Sequence, residues 1–129
     1  MENIDNHTQP FTYAIAEDLY DLSILEEMDD NEYMVEVLTV LLLETPKELK
    51  DMKEALRAGK ADIVCQKAHK LKSSAGIIQA VKLNGVLADI EAMGKKGEIN
   101  NELRSLVDHA AIEYCSIENV LKMHVKALK

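Results

Sequence analysis

The last quarter of the chain carries apolar side chains at a spacing that a helix brings to one face. They recur at alternating steps of four and three residues, with His124 in the same series. This spacing is typical of a seam along which one helix packs against another. It predicts a helix over about residues 101–127, with His124 as a packed or boundary residue. The seam comprises Leu103, Val107, Ala110, Tyr114, Ile117, Leu121, His124 and Leu128.

A second apolar stripe, at three- and four-residue steps, runs through the first half of the chain. It predicts a helix that begins at Asn31 and ends at Gly59, where glycine suits a left-handed cap. Pro46 removes one backbone donor inside this helix, so we expect a bend there rather than a break. The stripe comprises Met34, Leu38, Leu41, Leu42, Leu49, Met52 and Leu56.

Three shorter segments complete the helical pattern. Asp21 and the apolar residues after it predict a short capped helix that ends by residue 29. A third helix is predicted over about residues 61–78, and a fourth begins near Val81. Residues 94–97 carry two glycines and two lysines, and we predict a loop there.

The composition supports one helical domain. The chain has 129 residues, the size of a single domain, and its two prolines and five glycines are few for a many-turned β fold. Aromatic residues make up only 4%, so aliphatic side chains and methionine must fill the core. We therefore predict an all-α fold over residues 21–129, an antiparallel up-down four-helix bundle with an additional short N-terminal helix. Residues 1–20 are predicted to form an N-terminal arm.

Charge and cysteine content disfavour several classes of protein. With 15 basic and 23 acidic residues the net charge is −8, and we expect no nucleic-acid partner because phosphate contacts need clustered Lys and Arg. No apolar stretch approaches the roughly 20 residues of a bilayer span, and the polar, acidic start is unlike a secretory signal, so we expect a cytoplasmic protein without a membrane partner. Cys65 and Cys115 form no Cys-x-x-Cys pattern that would indicate a zinc ribbon.

The third helix places a histidine on its outer side. Wound at about 100° per residue, it collects its apolar residues within roughly 60° of Leu71 and turns His69 about 160° away from Leu71. Cys65, Ser73 and Gly76 share the side of His69, and these small residues leave the ring open to another protein. The buried stripe comprises Val64, Ala68, Leu71, Ala75 and Ile78.

An exposed imidazole beside a lysine can accept a phosphoryl group. With a reference pKa of about 6.5, the ring is mostly neutral near pH 7 and one nitrogen keeps its lone pair. Lys72 lies three residues after His69 and therefore beside it, and Lys70 is a second cation that could offset phosphoryl charge. On periodicity alone, an ordinary solvated pair is the better explanation of these residues, because a solvent-facing histidine beside a lysine is common. A metal site from Cys65 and His69 has too few ligands.

The segment Ala68-His69-Lys70-Leu71-Lys72-Ser73-Ser74-Ala75-Gly76 closely resembles the signature of histidine-containing phosphotransfer (HPt) domains. There, Ala-His-x-Leu-Lys is followed by small residues. The short opening helix, the proline in the second helix and the long last helix also resemble the family layout, over roughly residues 20–127. Ser73 and Gln79 stand where many members have glycine.

The resemblance implies roles for individual residues. His69 matches the histidine that is phosphorylated on Nε2, and Lys72 matches a lysine that steadies the phosphoryl group. Glu91 matches a residue that holds the other ring nitrogen. On its helix Glu91 lies about 40° from Leu87, at the border of the packed side, although an ordinary solvated glutamate would also fit there.

The resemblance also implies a function and partners. Such a protein shuttles a phosphoryl group between receiver-domain aspartates of response regulators and of a hybrid sensor histidine kinase. Magnesium is expected on the receiver, with no cofactor or metal on this chain and no ATP-dependent kinase activity. Candidate partner contacts are Cys65, Lys70, Ser73, Gly76 and Ile77. We expect a monomer. The alternative is a helical module that binds receiver or kinase domains without carrying phosphate.

Overall fold

The computed structural model describes residues 19–129, and these residues contain helices and no strands. In chain order the helices are α1 Ser23–Glu26, α2 Asn31–Arg57, α3 Ala61–Ile77, α4 Val81–Lys95 and α5 Asn101–Leu128. The predicted all-α class is confirmed. Of the predicted N-terminal arm, residues 1–18 lie outside the described residues.

The four long helices form the predicted antiparallel bundle. Each packs against the next in sequence, and α5 also packs against α2, which closes the ring. Their connections are short, so consecutive helices run in opposite directions. The short α1 lies before the bundle and contacts α2.

The helix ends follow from local chemistry. Asp30 caps α2 by accepting a hydrogen bond from the backbone N–H of Tyr33, and Asn100 caps α5 in the same way through the N–H of Leu103. Gly59, just after α2, has φ +75°, a left-handed conformation that glycine adopts without strain. The α2 helix continues through Pro46.

The apolar stripes form the core. Leu38, Met52, Leu87, Ile90 and Ile117 are completely or almost completely buried, as their spacing requires. At the end of α5 the buried residue is Val125, whereas His124 is half-buried with Nδ1 3.3 Å from the hydroxyl of Tyr20. His124 is therefore a boundary residue, which agrees with the sequence pattern.

The predicted loop at residues 94–97 is partly wrong, because α4 continues through Lys95 and Gly94 is buried inside it. A Cβ atom on Gly94 would lie 2.9 Å from the Cβ of Cys65 on α3. Glycine at position 94 thus permits close packing of α3 and α4. The sequence does not reveal this role, because Gly94 is followed by two lysines and a second glycine, which together have the composition of a turn.

Gln79 forms the turn between α3 and α4 with φ +50°, the left-handed conformation that favours glycine. Its side-chain Nε2 donates to the backbone oxygen of Asp21 at 2.9 Å, and the N–H of Asp21 donates to the oxygen of Ile78 at 2.8 Å. These bonds offset a strain of about 1–3 kcal/mol and tie the start of the domain to the turn.

Candidate functional site

His69 lies near the middle of α3, on the face opposite the core. The apolar residues Val64, Ala68 and Leu71 are buried, and they hold α3 in one rotational orientation. As a result, 70% of the His69 side chain is exposed. The ring is anchored on a rigid helix and remains open to a visiting molecule.

Glu91 on α4 contacts two side chains of α3, His69 and Lys72. Its Oε2 lies 2.8 Å from Nδ1 of His69, and its Oε1 accepts a hydrogen bond from Nζ of Lys72 at 2.9 Å. The Glu91 side chain is only 12% exposed. Both carboxylate oxygens are therefore engaged, and both of their partners come from α3.

The Glu91 contact determines which nitrogen of His69 can react. An ionised carboxylate only accepts hydrogen bonds, so Nδ1 must carry the proton. In the neutral ring, the lone pair then resides on Nε2. Glu91 thus holds one nitrogen of the imidazole and leaves the other without this contact.

The carboxylate of Glu91 stays ionised near neutral pH. The hydrogen bond from Lys72, and secondly that from His69, lowers the pKa of Glu91 below its ordinary value of 4.5. A permanent negative charge therefore lies beside the imidazole and can stabilise positive charge that develops on the ring.

A second carboxylate cluster lies on the other side of α3. Glu48 of α2 is buried, and its two oxygens accept hydrogen bonds from Lys67 at 2.9 Å and from Lys70 at 2.7 Å. These bonds, chiefly the one from Lys70, lower the pKa of Glu48. The ammonium group of Lys70 is consequently directed towards α2, while Lys72 is directed towards α4.

Glu48 was not predicted from the sequence, although one signal was present. It lies seven residues after Leu41 and four before Met52, both of which belong to the apolar stripe of α2. A charged residue at a stripe position is expected to be buried with a partner.

The other residues predicted to contact a partner differ in how exposed they are. Ser73, Gly76 and Ile77 are exposed on α3, and Ile77 leaves 44% of its surface open to water. In contrast, Cys65 is half-buried because it packs against Gly94 of α4. Cys65 therefore belongs to the contact between α3 and α4 more than to the open face.

Metal sites and membrane spans are both absent from the described part of the chain. Among residues 19–129, no three His, Cys, Asp or Glu side chains come together as a metal site would require. The same part of the chain contains no helix with the length and hydrophobicity of a membrane span.

Comparison with known proteins identifies the family. A solved structure of histidine-containing phosphotransfer protein B (HptB) from Pseudomonas aeruginosa PAO1 superposes with a TM-score of 0.78 at 25% sequence identity, covering 85% of this chain and 96% of that chain. No curated protein matches the sequence. The model of the Hpt domain family matches residues 36–128, which include both carboxylate clusters and His69. The chain belongs to the Hpt domain family, whose members act in histidine phosphotransfer.

Proposed function

We propose that this protein carries a phosphoryl group on Nε2 of His69 and passes it between the aspartates of two receiver domains. The observation that carries the proposal is the 2.8 Å contact between Nδ1 of His69 and Glu91 on a side chain that is 70% exposed. One nitrogen is held by a carboxylate, and most of the side chain is exposed to solvent. This arrangement suits a nucleophile whose reaction partner arrives on another protein.

The proposed reaction is a reversible transfer. The lone pair of Nε2 attacks the phosphorus of an aspartyl phosphate, and the bond between phosphorus and the aspartate oxygen breaks. The electron pair of that bond returns to the aspartate carboxylate. The ring, still protonated on Nδ1, becomes cationic, and Glu91 offsets its charge. The reverse reaction delivers the phosphoryl group to a second receiver.

Lys72 is the proposed stabiliser of the phosphoryl group. Its side chain is 33% exposed and lies one turn from His69, already hydrogen-bonded to the same carboxylate. A phosphoryl group brings nearly two negative charges to the ring, and charge-assisted hydrogen bonds to an ammonium group are the strong kind. Magnesium, expected on the receiver, would supply further positive charge from the partner's side.

We propose that receivers dock on the exposed surface formed by α2 and α3. Ser73 and Gly76 keep the approach to His69 low, and the described residues leave open space around the position of a Gly76 Cβ. Ile77 and Val40 supply exposed apolar area. Val40 precedes Glu48 by about two turns and Ile77 follows Lys70 by about two turns, so antiparallel packing puts both towards the same end of the bundle.

These proposals imply partners and a setting. The upstream partner would be the receiver domain of a hybrid sensor histidine kinase, and the downstream partner the receiver of a response regulator. A monomer with a single docking face suffices for sequential transfer. The relay would operate in the cytoplasm, and the chain would not phosphorylate itself from ATP.

The decisive experiment measures phosphate on the protein. Receiver domains encoded in the same genome are phosphorylated with magnesium and a small-molecule donor, and then incubated with the wild type, His69→Gln or His109→Gln. His109 is an exposed histidine on α5 and serves as the matched control. We expect acid-labile, base-stable phosphate on the wild type and His109→Gln but none on His69→Gln.

Two results would contradict the proposal. Equal labelling of the wild type and His69→Gln would assign the phosphate to another residue. Receiver binding that is equal in both proteins, with no label on either, would support the interaction module that carries no phosphate. A parallel incubation with ATP alone is expected to give no label.

A further inference from the structure

Two glycines in α4 have very different surroundings. Around Gly85, apart from its chain neighbours and the nearby backbone of α4 itself, no atom of the described residues lies within 4 Å of the position that a Cβ would occupy. At Gly94, a Cβ would lie 2.9 Å from the Cβ of Cys65, 3.1 Å from the backbone oxygen of Ala61 and 3.1 Å from the Cα of Cys65. Helix α4 therefore approaches α3 as closely at Gly94 as a glycine allows.

This close approach lies next to the reactive histidine. Gly94 follows Glu91 by three residues, and Cys65 precedes His69 by four. Because α3 and α4 are antiparallel, the contact between Cys65 and Gly94 and the contact between His69 and Glu91 are one helical turn apart. Each helix is rigid over one turn, so the spacing at the first contact sets the spacing at the second.

We propose that Gly94 is a positioning residue that keeps Glu91 within hydrogen-bond distance of Nδ1 of His69. Through Glu91 it determines which ring nitrogen carries the proton and which one is free to react. The kinetic consequence rests on the proposed phosphotransfer function. The hydrogen bond and the position of the ring proton do not depend on that function.

The methyl group that Gly94→Ala introduces would push α4 away from α3. Carbon atoms pack at about 3.5–4.0 Å, and two of the three atoms that the methyl group would meet belong to the backbone of α3. Backbone atoms within a helix cannot rotate away as the end of a side chain can. We therefore expect α4 to move outward by several tenths of an ångström.

The hydrogen bonds at Glu91 tolerate little movement. Nδ1 of His69 and Oε2 of Glu91 are 2.8 Å apart, and N–H···O bonds weaken beyond about 3.2 Å. His69 and Lys72 both lie on α3, so their bonds to Glu91 cross the same gap and lengthen together. The imidazole would then lose the contact that keeps the proton on Nδ1.

The first test compares Gly94→Ala with Gly85→Ala by nitrogen-15 NMR of the imidazole groups. Both changes add one methyl group to α4, and only the first has no room for it. In the neutral ring of the wild type and of Gly85→Ala, we expect the proton of His69 on Nδ1. In Gly94→Ala we expect a substantial population with the proton on Nε2.

The second test measures the rate of His69 phosphorylation by phosphoramidate, a small donor that needs no docking surface. Misplacement of a catalytic group by about 1 Å can cost 100-fold, so a smaller displacement should slow Gly94→Ala by roughly 3- to 10-fold. Gly85→Ala should keep the wild-type rate. Adding Cys65→Gly to Gly94→Ala removes the nearest atom of the clash and should restore part of both the rate and the Nδ1 proton.

The outcomes separate this proposal from the proposed function. A folded Gly94→Ala protein with the wild-type proton position overturns the positioning role, whatever its rate. If Gly94→Ala does not fold, the double variant with Cys65→Gly carries the same test. A double variant that also fails to fold assigns Gly94 to the fold alone and equally overturns the proposal. If His69 accepts no phosphoryl group in the wild type, phosphotransfer fails while the proton position still tests Gly94.

Discussion

Two carboxylates flank α3, and they are used in different ways. Glu48 on α2 holds two lysines, Lys67 and Lys70, at 2.9 and 2.7 Å. Glu91 on α4 holds one lysine and one histidine at 2.9 and 2.8 Å. Each glutamate is largely buried, each uses both oxygens, and each has a lowered pKa.

The difference between the clusters is the replacement of an ammonium group by an imidazole. The ammonium groups of the two lysines beside Glu48 donate hydrogen bonds and have no lone pair, so that cluster can only tie α3 to α2. A neutral imidazole, unlike an ammonium group, retains a lone pair, and here it lies on the nitrogen that Glu91 does not contact. One packing arrangement thus ties α3 to α2 on one side and holds an imidazole on the other, and that imidazole is the nucleophile of the proposed phosphotransfer.

The largest difference between the clusters should appear when one lysine is removed from each. Lys72→Ala should slow phosphoryl transfer to His69 by about 10- to 100-fold, because one group that stabilises transition-state charge is lost. Lys70→Ala should change the rate with phosphoramidate by less than about 3-fold, because Glu48 directs its ammonium group towards α2. Single-turnover labelling of both variants measures the comparison, and circular dichroism should show that both remain folded. Equal slowing would mean that Lys70 leaves Glu48 to assist transfer.

A smaller effect is expected from neutralising each carboxylate. Glu91→Gln keeps an oxygen that can accept from Nδ1 but removes the charge, and we expect labelling to slow by roughly 3- to 10-fold. Glu48→Gln should leave the rate with phosphoramidate unchanged. Single-turnover labelling of both variants measures the effect. If Glu48→Gln slows transfer as much, the two clusters are not functionally distinct.

The smallest expected effect concerns stability and pH. Folding lowers the pKa of Glu48 below its ordinary value of 4.5. The ionised Glu48 therefore contributes its full stabilisation of the fold above pH 4.5, and this stabilisation is lost as pH falls through the lower folded pKa. Glu48 raises the pKa of Lys67 above its ordinary value of 10.5. The ion pair between Lys67 and Glu48 is therefore complete below pH 10.5 and is lost as pH rises through the higher folded pKa. We expect Glu48→Gln to lower the free energy of unfolding by about 1 kcal/mol near pH 7. This is less than a buried charge-assisted hydrogen bond contributes, because water screens Lys70, which is 63% exposed.

Urea unfolding at several pH values checks this prediction. The difference in the free energy of unfolding between the wild type and Glu48→Gln should shrink below pH 4 and should be constant between pH 6 and 8. A difference that grows on acidification would contradict the direction of the Glu48 pKa shift. Gln79→Gly is a useful reference, because it changes the turn between α3 and α4 without changing charge.

Periodicity predicted the helices well because each buries one continuous face. The predicted starts at Asn31, Ala61 and Val81 agree with the structure, and α5 ends one residue later than predicted. The error at Gly94 has a physical cause. A glycine followed by lysines and another glycine has the local composition of a turn, and only the backbone of α3, which lies far away in sequence, explains why a glycine is needed there.

The outward direction of His69 was set by the sequence alone, because the apolar residues of α3 determine which side of that helix faces the core. The presence of Lys72 beside it followed from the same periodicity. Which carboxylate meets which base was decided only by the tertiary structure. Glu91 is 22 residues from His69, and Glu48 is 22 residues from Lys70. Contacts over such separations depend on how closely two helices pack, and helical periodicity contains no information about the distance between helices.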